Sequence, residues 1–552
     1  MRYLLFILTL AFTNNLLAQE AQFTRADSLR GYLSPERTAF DVKFYHLDIR
    51  VDPDQQSING SNTVRFKALQ PARKIQLDLF QELQIHSIEQ ENGKALSFTR
   101  EHNAFFIQFE EPLSVGKIYQ LKVNYGGKPR VAPRPPWDGG VSWQKDEDGN
   151  PWVVVTCQGL GASVWWPNKD HQSDEPDSMQ ISITVPKGLK NVSNGRLREV
   201  TELRDGWTRF EWFVANPINN YNVTMNIGNY VHFQDKYTNE EGTLDLDYWV
   251  LPYHLDAAKK QFEQVKPMLS CFEKHFGPYP FKEDGYKLVE SPHPGMEHQS
   301  AIAYGNYFKN GYRLRSSSQV GLQFDFIIIH ETAHEWFGNS ITSADIADMW
   351  VHESFGAYLE AVYAECEFGY DAAMDYMYGK RYEVQFDKPI MGTYDVNHEG
   401  SGDMYPKGAL MLNTLRHACG SDEKWWAMLL KMGNSFKHSI VDYGQVTSFM
   451  SQELSRDFSK VFEQYLHHIN LPKLRIDISV VAGVQTMYYR WNSDVEGFDL
   501  PVKVKVADDK WQLIYPTGRR QKMTINLSNP EDFQVDRNFF IELDKRIRYR
   551  LE

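Results

Sequence analysis

Residues 320–334 read Val-Gly-Leu-Gln-Phe-Asp-Phe-Ile-Ile-Ile-His-Glu-Thr-Ala-His, an apolar run that ends in His330-Glu331-Thr332-Ala333-His334. The run has the pattern of a helix buried in a core, and Gly338-Asn339 offers its stop. On a helix, His330 and His334 lie four apart and share a face, so both imidazoles can reach one metal ion. Glu331, one residue off that pair, is placed to reach a metal-bound water rather than the metal. Nineteen positions beyond His334, Glu353 stands in a second, mostly buried helical stretch over 348–363 and supplies a third ligand. Two His and one Glu leave one coordination position open, which predicts one Zn2+ per chain in a site of hydrolytic type. Glu360 falls two turns after Glu353 on the same face. It is a candidate partner for a ligating His, or a helix charge with a local partner.

Outward from this centre the periodicity changes twice. From about 240 to 470 it is helical, with apolar spacings of three and four over His254 to Phe276, Ala409 to Ala418 and Tyr443 to His468. From about 40 to 235 it alternates as strands do. Tyr45, Leu47, Ile49 and Val51 share a face, and Val64 and Phe66 follow after a turn expected at Ser57-Ile58-Asn59-Gly60. The last 80 or so residues return to strands, with Leu500, Val502, Val504 and Val506 alternating with lysines. The expected fold is multidomain α+β. A signal peptide occupies 1–18, an N-terminal antiparallel β domain 19–237, a mostly α catalytic domain 238–470 and a small C-terminal β sandwich 471–552.

Composition bounds the partners. A chain of 552 residues exceeds one core, and 42% hydrophobic with 14% aromatic content excludes disorder over most of it. The net charge of −13 argues against nucleic acid or an anionic membrane surface. Residues 1–18 combine Arg2, a short apolar stretch Tyr3 to Phe12 and Leu16-Leu17-Ala18, which predicts export to the periplasm or the exterior. No later segment is long and apolar enough for a membrane span. Cys157, Cys271, Cys366 and Cys419 are few and scattered. They indicate no disulfide framework and leave at most one unspecified bridge among the alternatives.

Two further stretches join the argument: Ser291-Pro292-His293-Pro294-Gly295-Met296-Glu297-His298-Gln299, and Met404-Tyr405-Pro406-Lys407-Gly408 before an apolar helix. With H-E-x-x-H, eighteen residues and Glu, they make the chain resemble the aminopeptidase N family of zinc metallopeptidases, which includes leukotriene epoxide hydrolases. Cys157-Gln158 and Trp166-Pro167 resemble the family's pre-catalytic β segment. The likeness covers roughly 40 to 470 and implies a thermolysin-like catalytic domain. It implies an aminopeptidase in which Glu331 is the general base for a zinc-activated water and Tyr405 stabilises the oxyanion. Gly295, Met296, Glu297 and Gln158 would hold a peptide with a free N terminus, Glu297 facing its α-ammonium. Epoxide hydrolysis on the same site and an inert binding scaffold are the alternatives. Two departures stand out: Pro294 replaces the family's first loop Gly and removes an N–H, and His298 replaces Asn. His298 is expected to titrate near neutrality, and His298 and His352 to be hydrogen-bonded pocket residues rather than ligands. The absence of a long helical cap after the last strands predicts an open cavity that admits longer peptides.

Overall fold

The computed structural model describes residues 22–550; the signal-peptide expectation for 1–18 lies outside them. In the strand Phe40–Asp52, Tyr45, Leu47, Ile49 and Val51 are buried while His46, Asp48 and Arg50 point outward, as a half-buried strand requires. Its antiparallel partner is Ser57–Ala68. The turn falls at 53–56, not at Ser57–Gly60. Asp52 Oδ1 accepts the N–H groups of Asp54 (3.0 Å) and Gln55 (3.1 Å), so the chain reverses before the Asn-Gly pair. These two strands are the middle of a seven-stranded sheet. That sheet is antiparallel except where Phe40–Asp52 runs parallel to Ser178–Pro186. Four-stranded and three-stranded sheets complete the N-terminal layer around one apolar core.

The catalytic region hangs on a five-stranded sheet, in spatial order Val231–Asn239, Gly242–Val250, Tyr286–Glu290, Ile302–Tyr304, Gly295–Met296. The first of these strands straddles the expected boundary at 237. Alternation divides the sheet's two faces. Leu288, Ile302 and Tyr304 enter the core shared with the helices, whereas Val289, Ala303 and Met296 enter the core of the N-terminal layer. The edge strand Gly295–Met296 therefore sits at the seam between the two cores, and Glu297 follows directly from it.

Helices cover the other face; two of the expected helical stretches are broken, whereas Ala409 to Ala418 lies within the unbroken helix Pro406–Ala418. His254 to Phe276 becomes Leu255–Gln261 and Val265–Phe276 with a 3-10 turn between them. The stretch Tyr443 to His468 becomes Tyr443–Glu453 and Ser459–His467. Among the described residues no helix is long and apolar enough to cross a membrane. The C-terminal strands form a four-stranded and a two-stranded sheet. Leu474, Ile476, Val502 and Phe540 pack into the same cluster as the catalytic helices. One disulfide, Cys271–Cys366, ties Val265–Phe276 to Trp350–Phe368.

Candidate metal centre

The motif helix is Phe326–Ala333, with His334 at its C-cap, so it covers less than the apolar run. Buried Asp325 explains the late start, accepting from the N–H groups of Ile327 (3.1 Å) and Ile328 (3.4 Å). Tyr304, Asn306 and Gln261 also donate to Asp325, at 2.7–2.8 Å. The long helix Trp350–Phe368 carries Glu353 in its first turn and is buried through Ala364.

The two helices bring three donors together. His330 Nε2 and His334 Nε2 are 3.3 Å apart, and Glu353 Oε2 lies 3.8 Å from the first and 3.4 Å from the second. All three residues are buried. The far side of each imidazole is engaged. His330 Nδ1 meets Glu360 Oε1 at 2.7 Å and His334 Nδ1 meets the Phe337 carbonyl at 3.0 Å. With Nδ1 engaged in both rings, Nε2 is the nitrogen that each turns toward Glu353. Glu360 is itself held by the Tyr376 hydroxyl (2.5 Å) and the Lys380 ammonium (2.8 Å), both from the helix Tyr370–Lys380.

The residues expected on the substrate side converge on the same place. Glu297 Oε1 accepts from Gln158 Nε2 at 2.5 Å and from the Tyr221 hydroxyl at 3.2 Å. Gln158 Nε2 also reaches Glu353 Oε1, at 3.2 Å. A Cβ on Gly295 would stand 2.6 Å from Glu331 Oε1, so the general-base candidate lies against bare backbone. Met296 is buried in the seam. Tyr405 is 37% exposed, with its ring centroid 5.8 Å from that of His330.

Charge in this cluster is unbalanced. Burial pushes Glu331 up to about 7, His330 partly offsetting the effect and Glu297 adding to it. Burial likewise raises Glu297. Burial opposes protonation of His330, yet the nearby Glu353 and Glu360 carboxylates outweigh it and raise the imidazole to about 10. His334 rises to about 9 by the same balance, through Glu353 and Glu297. Glu353 falls well below the usual carboxylate range, burial being overcome by the two imidazoles. Enclosure of the Tyr405 hydroxyl, with Glu353 and Glu297 beside it, keeps its proton well above the ordinary range. Four buried carboxylates thus attract positive charge to one point. Glu353 Oε2 is buried, has no hydrogen-bond partner and is aimed at both Nε2 atoms. Two imidazoles and one carboxylate whose inner oxygen is orphaned fit a zinc ion.

Two expectations need correction. His298 is fully buried, and burial with His293 beside it lowers its pKa to about 3, so it stays neutral at physiological pH. Neither ring nitrogen of His298 has a hydrogen-bond partner. His352 meets the expectation halfway: its Nε2 accepts from the Ser343 N–H at 2.9 Å, while Nδ1 has no partner. Tyr221, Tyr376 and Lys380 were not singled out by the sequence. For Tyr221 the available signal was the polar run Asn219-Asn220-Tyr221-Asn222, buried throughout.

Residues 260–465 match the peptidase family M1 domain and residues 42–221 the peptidase M1 N-terminal domain. Aminopeptidase B of Rattus norvegicus is 23% identical over 473 residues, covering 77% of this chain and 66% of the relative. Probable aminopeptidase 2 of Sulfurisphaera tokodaii is 21% identical over 450 residues, covering 78% and 54%. The chain thus spans just under two thirds of the rat relative and about half of the archaeal one. An M1 zinc metallopeptidase mutant from Deinococcus radiodurans superposes with a TM-score of 0.67 at 21% identity, covering 81% of this chain and 99% of that one. A further structure of that protein is described with a bound Tyr-Ser-Ala substrate, at a TM-score of 0.66 and 20% identity, covering 81% and 98%. At this identity the superposition speaks for the fold.

Proposed function

This chain belongs to peptidase family M1, and from that premise we propose that it is an exported zinc aminopeptidase acting on peptides with a free N terminus. The observation that carries the reading is the convergence of His330, His334 and Glu353 beside a second, buried carboxylate, Glu297. A zinc ion held by the first three supplies Lewis acidity that makes water a nucleophile near neutral pH and polarises a carbonyl. Glu331 accepts the proton of the attacking water and delivers it to the departing amine, a role suited to a carboxylate raised to about 7. Tyr405 keeps its proton and donates a hydrogen bond to the oxygen that gains charge, an interaction worth on the order of 3 kcal/mol.

Glu297 fixes where the chain is cut. Its carboxylate is buried, and Gln158 and Tyr221 offer it only neutral donors. A substrate α-ammonium supplies the missing charge, and the bond cleaved is then the first one. An acetylated N terminus leaves the carboxylate unpaired and is rejected. Gln158 gives its amide N–H groups to Glu297 and Glu353, which leaves its carbonyl oxygen to accept from the ammonium. Export is supported by the pattern of residues 1–18 and by the Cys271–Cys366 bridge, which suits an oxidising compartment.

Release of the first residue from aminoacyl amides, measured beside metal content, tests the reading. Glu331→Gln is expected to keep zinc and lose turnover by roughly 10²–10⁴-fold. Glu297→Ala is expected to lose free-amine substrates while keeping zinc. A zinc-loaded wild type that releases no amino acid would point to the scaffold reading instead.

A further inference from the structure

A second group of donors lies at the opposite end of the long helix. Cys271 and His275 stand four apart on Val265–Phe276 and so share a face. Cys366 reaches them from the last turn of Trp350–Phe368. Each of the three offers one donor atom within 4.8 Å of the others. The pattern repeats that of His330, His334 and Glu353: two residues one turn apart on one helix, and a third from the long helix.

The surroundings suit an exchangeable ligand set. Cys271 is buried under the long helix, its sulfur 3.6 Å from the Val362 carbonyl, whereas Cys366 is exposed. Cys366 opens on a cleft of about 540 Å³ whose walls include His275, Glu365, Tyr370 and Trp426. The Trp426 ring lies 4.2 Å from that of His275, centroid to centroid, and holds the imidazole beside the sulfurs. Cys366 and His275 both line the cleft, which gives reductant and cation a route to the bridge.

We propose that Cys271, His275 and Cys366 form a second metal site, for a thiophilic divalent cation of the zinc type, which replaces the disulfide as the clasp between the two helices when the bridge is reduced. Thiolate and imidazole donors select such a cation over calcium or magnesium. The site exists only in the reduced chain, because bridged sulfurs are not thiolates. Reduction by a water-soluble phosphine balances as follows: the phosphine takes the oxygen of water and becomes its oxide, two electrons cleave the S–S bond, and the two protons of water complete two thiols. Binding of the dication then displaces both thiol protons. Two sulfur–metal bonds and one bond from neutral His275 form. The proposal does not depend on what the first centre catalyses.

The full chain with zinc in its first centre is the material for the test. After phosphine reduction, titration with Co2+ is expected to add one equivalent with a thiolate-to-cobalt charge-transfer band, absent from the oxidised chain. Cys366→Ser is expected to abolish the band, and His275→Ala to weaken binding, with zinc in the first centre retained by both. A reduced wild type that takes no further equivalent, or a Cys366→Ser chain that keeps the band, overturns the proposal. Alkylation of the reduced wild type gives a readout that needs no variant. Added Zn2+ is expected to slow modification of Cys271 and Cys366 but not of the half-buried Cys419. Equal protection of all three cysteines, or of none, would count against the site.

Discussion

His330 serves as a ligand only with its proton on Nδ1, and Glu360 decides that tautomer by accepting from it at 2.7 Å. Glu360 in turn needs the Lys380 ammonium, because a carboxylate with no exposed surface is costly without a charged partner. Glu360→Gln keeps an acceptor for His330 but leaves Lys380 only Glu383, at 3.4 Å, so the imidazole is held less firmly. Zinc affinity is expected to fall roughly 10–100-fold, read by competition with a coloured chelator. Unchanged affinity would mean that Glu360 serves Lys380 alone. At this scale the sequence was most legible where one helix relates the residues. The spacing of His330 to His334, and of Glu353 to Glu360, is helical arithmetic that a reader can perform. Lys380 and Tyr376 belong to another helix, and Tyr221 to another layer, so their approach depends on tertiary packing that no local pattern records.

Asp325 shows the same contrast for an element. The apolar run from Val320 reads as continuous helix, yet the helix begins at Phe326 because Asp325 captures the first free N–H groups. Asp325 also receives the Tyr304 hydroxyl and the Asn306 amide, joining the helix start to the strand Ile302–Tyr304 and the loop after it. Asp325→Ala removes the cap and leaves buried donors without partners. A loss of roughly 2–4 kcal/mol is expected, local to the motif helix. Hydrogen exchange should then speed up in residues 326–333 before the N-terminal sheets are affected. Uniform loss of protection would refute a local role. Strand alternation over Tyr45 to Val51 was readable because burial on one face leaves a period of two. Loops were less so: Asn59-Gly60 looks like a turn, but Asp52 had already closed one. The Cys271–Cys366 pairing was not legible, since 95 residues separate the two.

For the whole molecule, groups shifted in opposite directions act against each other in the acid response. Burial lowers His171 and His298 to about 3 and His293 to about 4. Above 6.5 these residues are neutral in both folded and unfolded chains. As pH falls from 6.5 toward those values only the unfolded chain takes up the protons, so stability is lost. Burial raises Glu175 to about 7, with the hydrogen bond from Asn219 (3.3 Å) opposing the rise. Its contribution runs the other way: it is complete below about 4.5, where both states are protonated, and is lost as pH rises through 7. The two sets partly cancel in the wild type, which hides both. Single replacements separate them. His298→Asn should gain Tm relative to wild type progressively as pH drops from 6.5 to 4, whereas Glu175→Gln should gain progressively as pH climbs from 4.5 to 7. His298 lies in the seam, in the segment that follows the edge strand Gly295–Met296, while Glu175 accepts from Asn219 at 3.3 Å, two residues before the Tyr221 that donates to Glu297. The opposite slopes would therefore both report on the junction where Glu297, Gln158 and the proposed metal ligands meet. Parallel slopes would mean that the junction does not set the stability of the molecule.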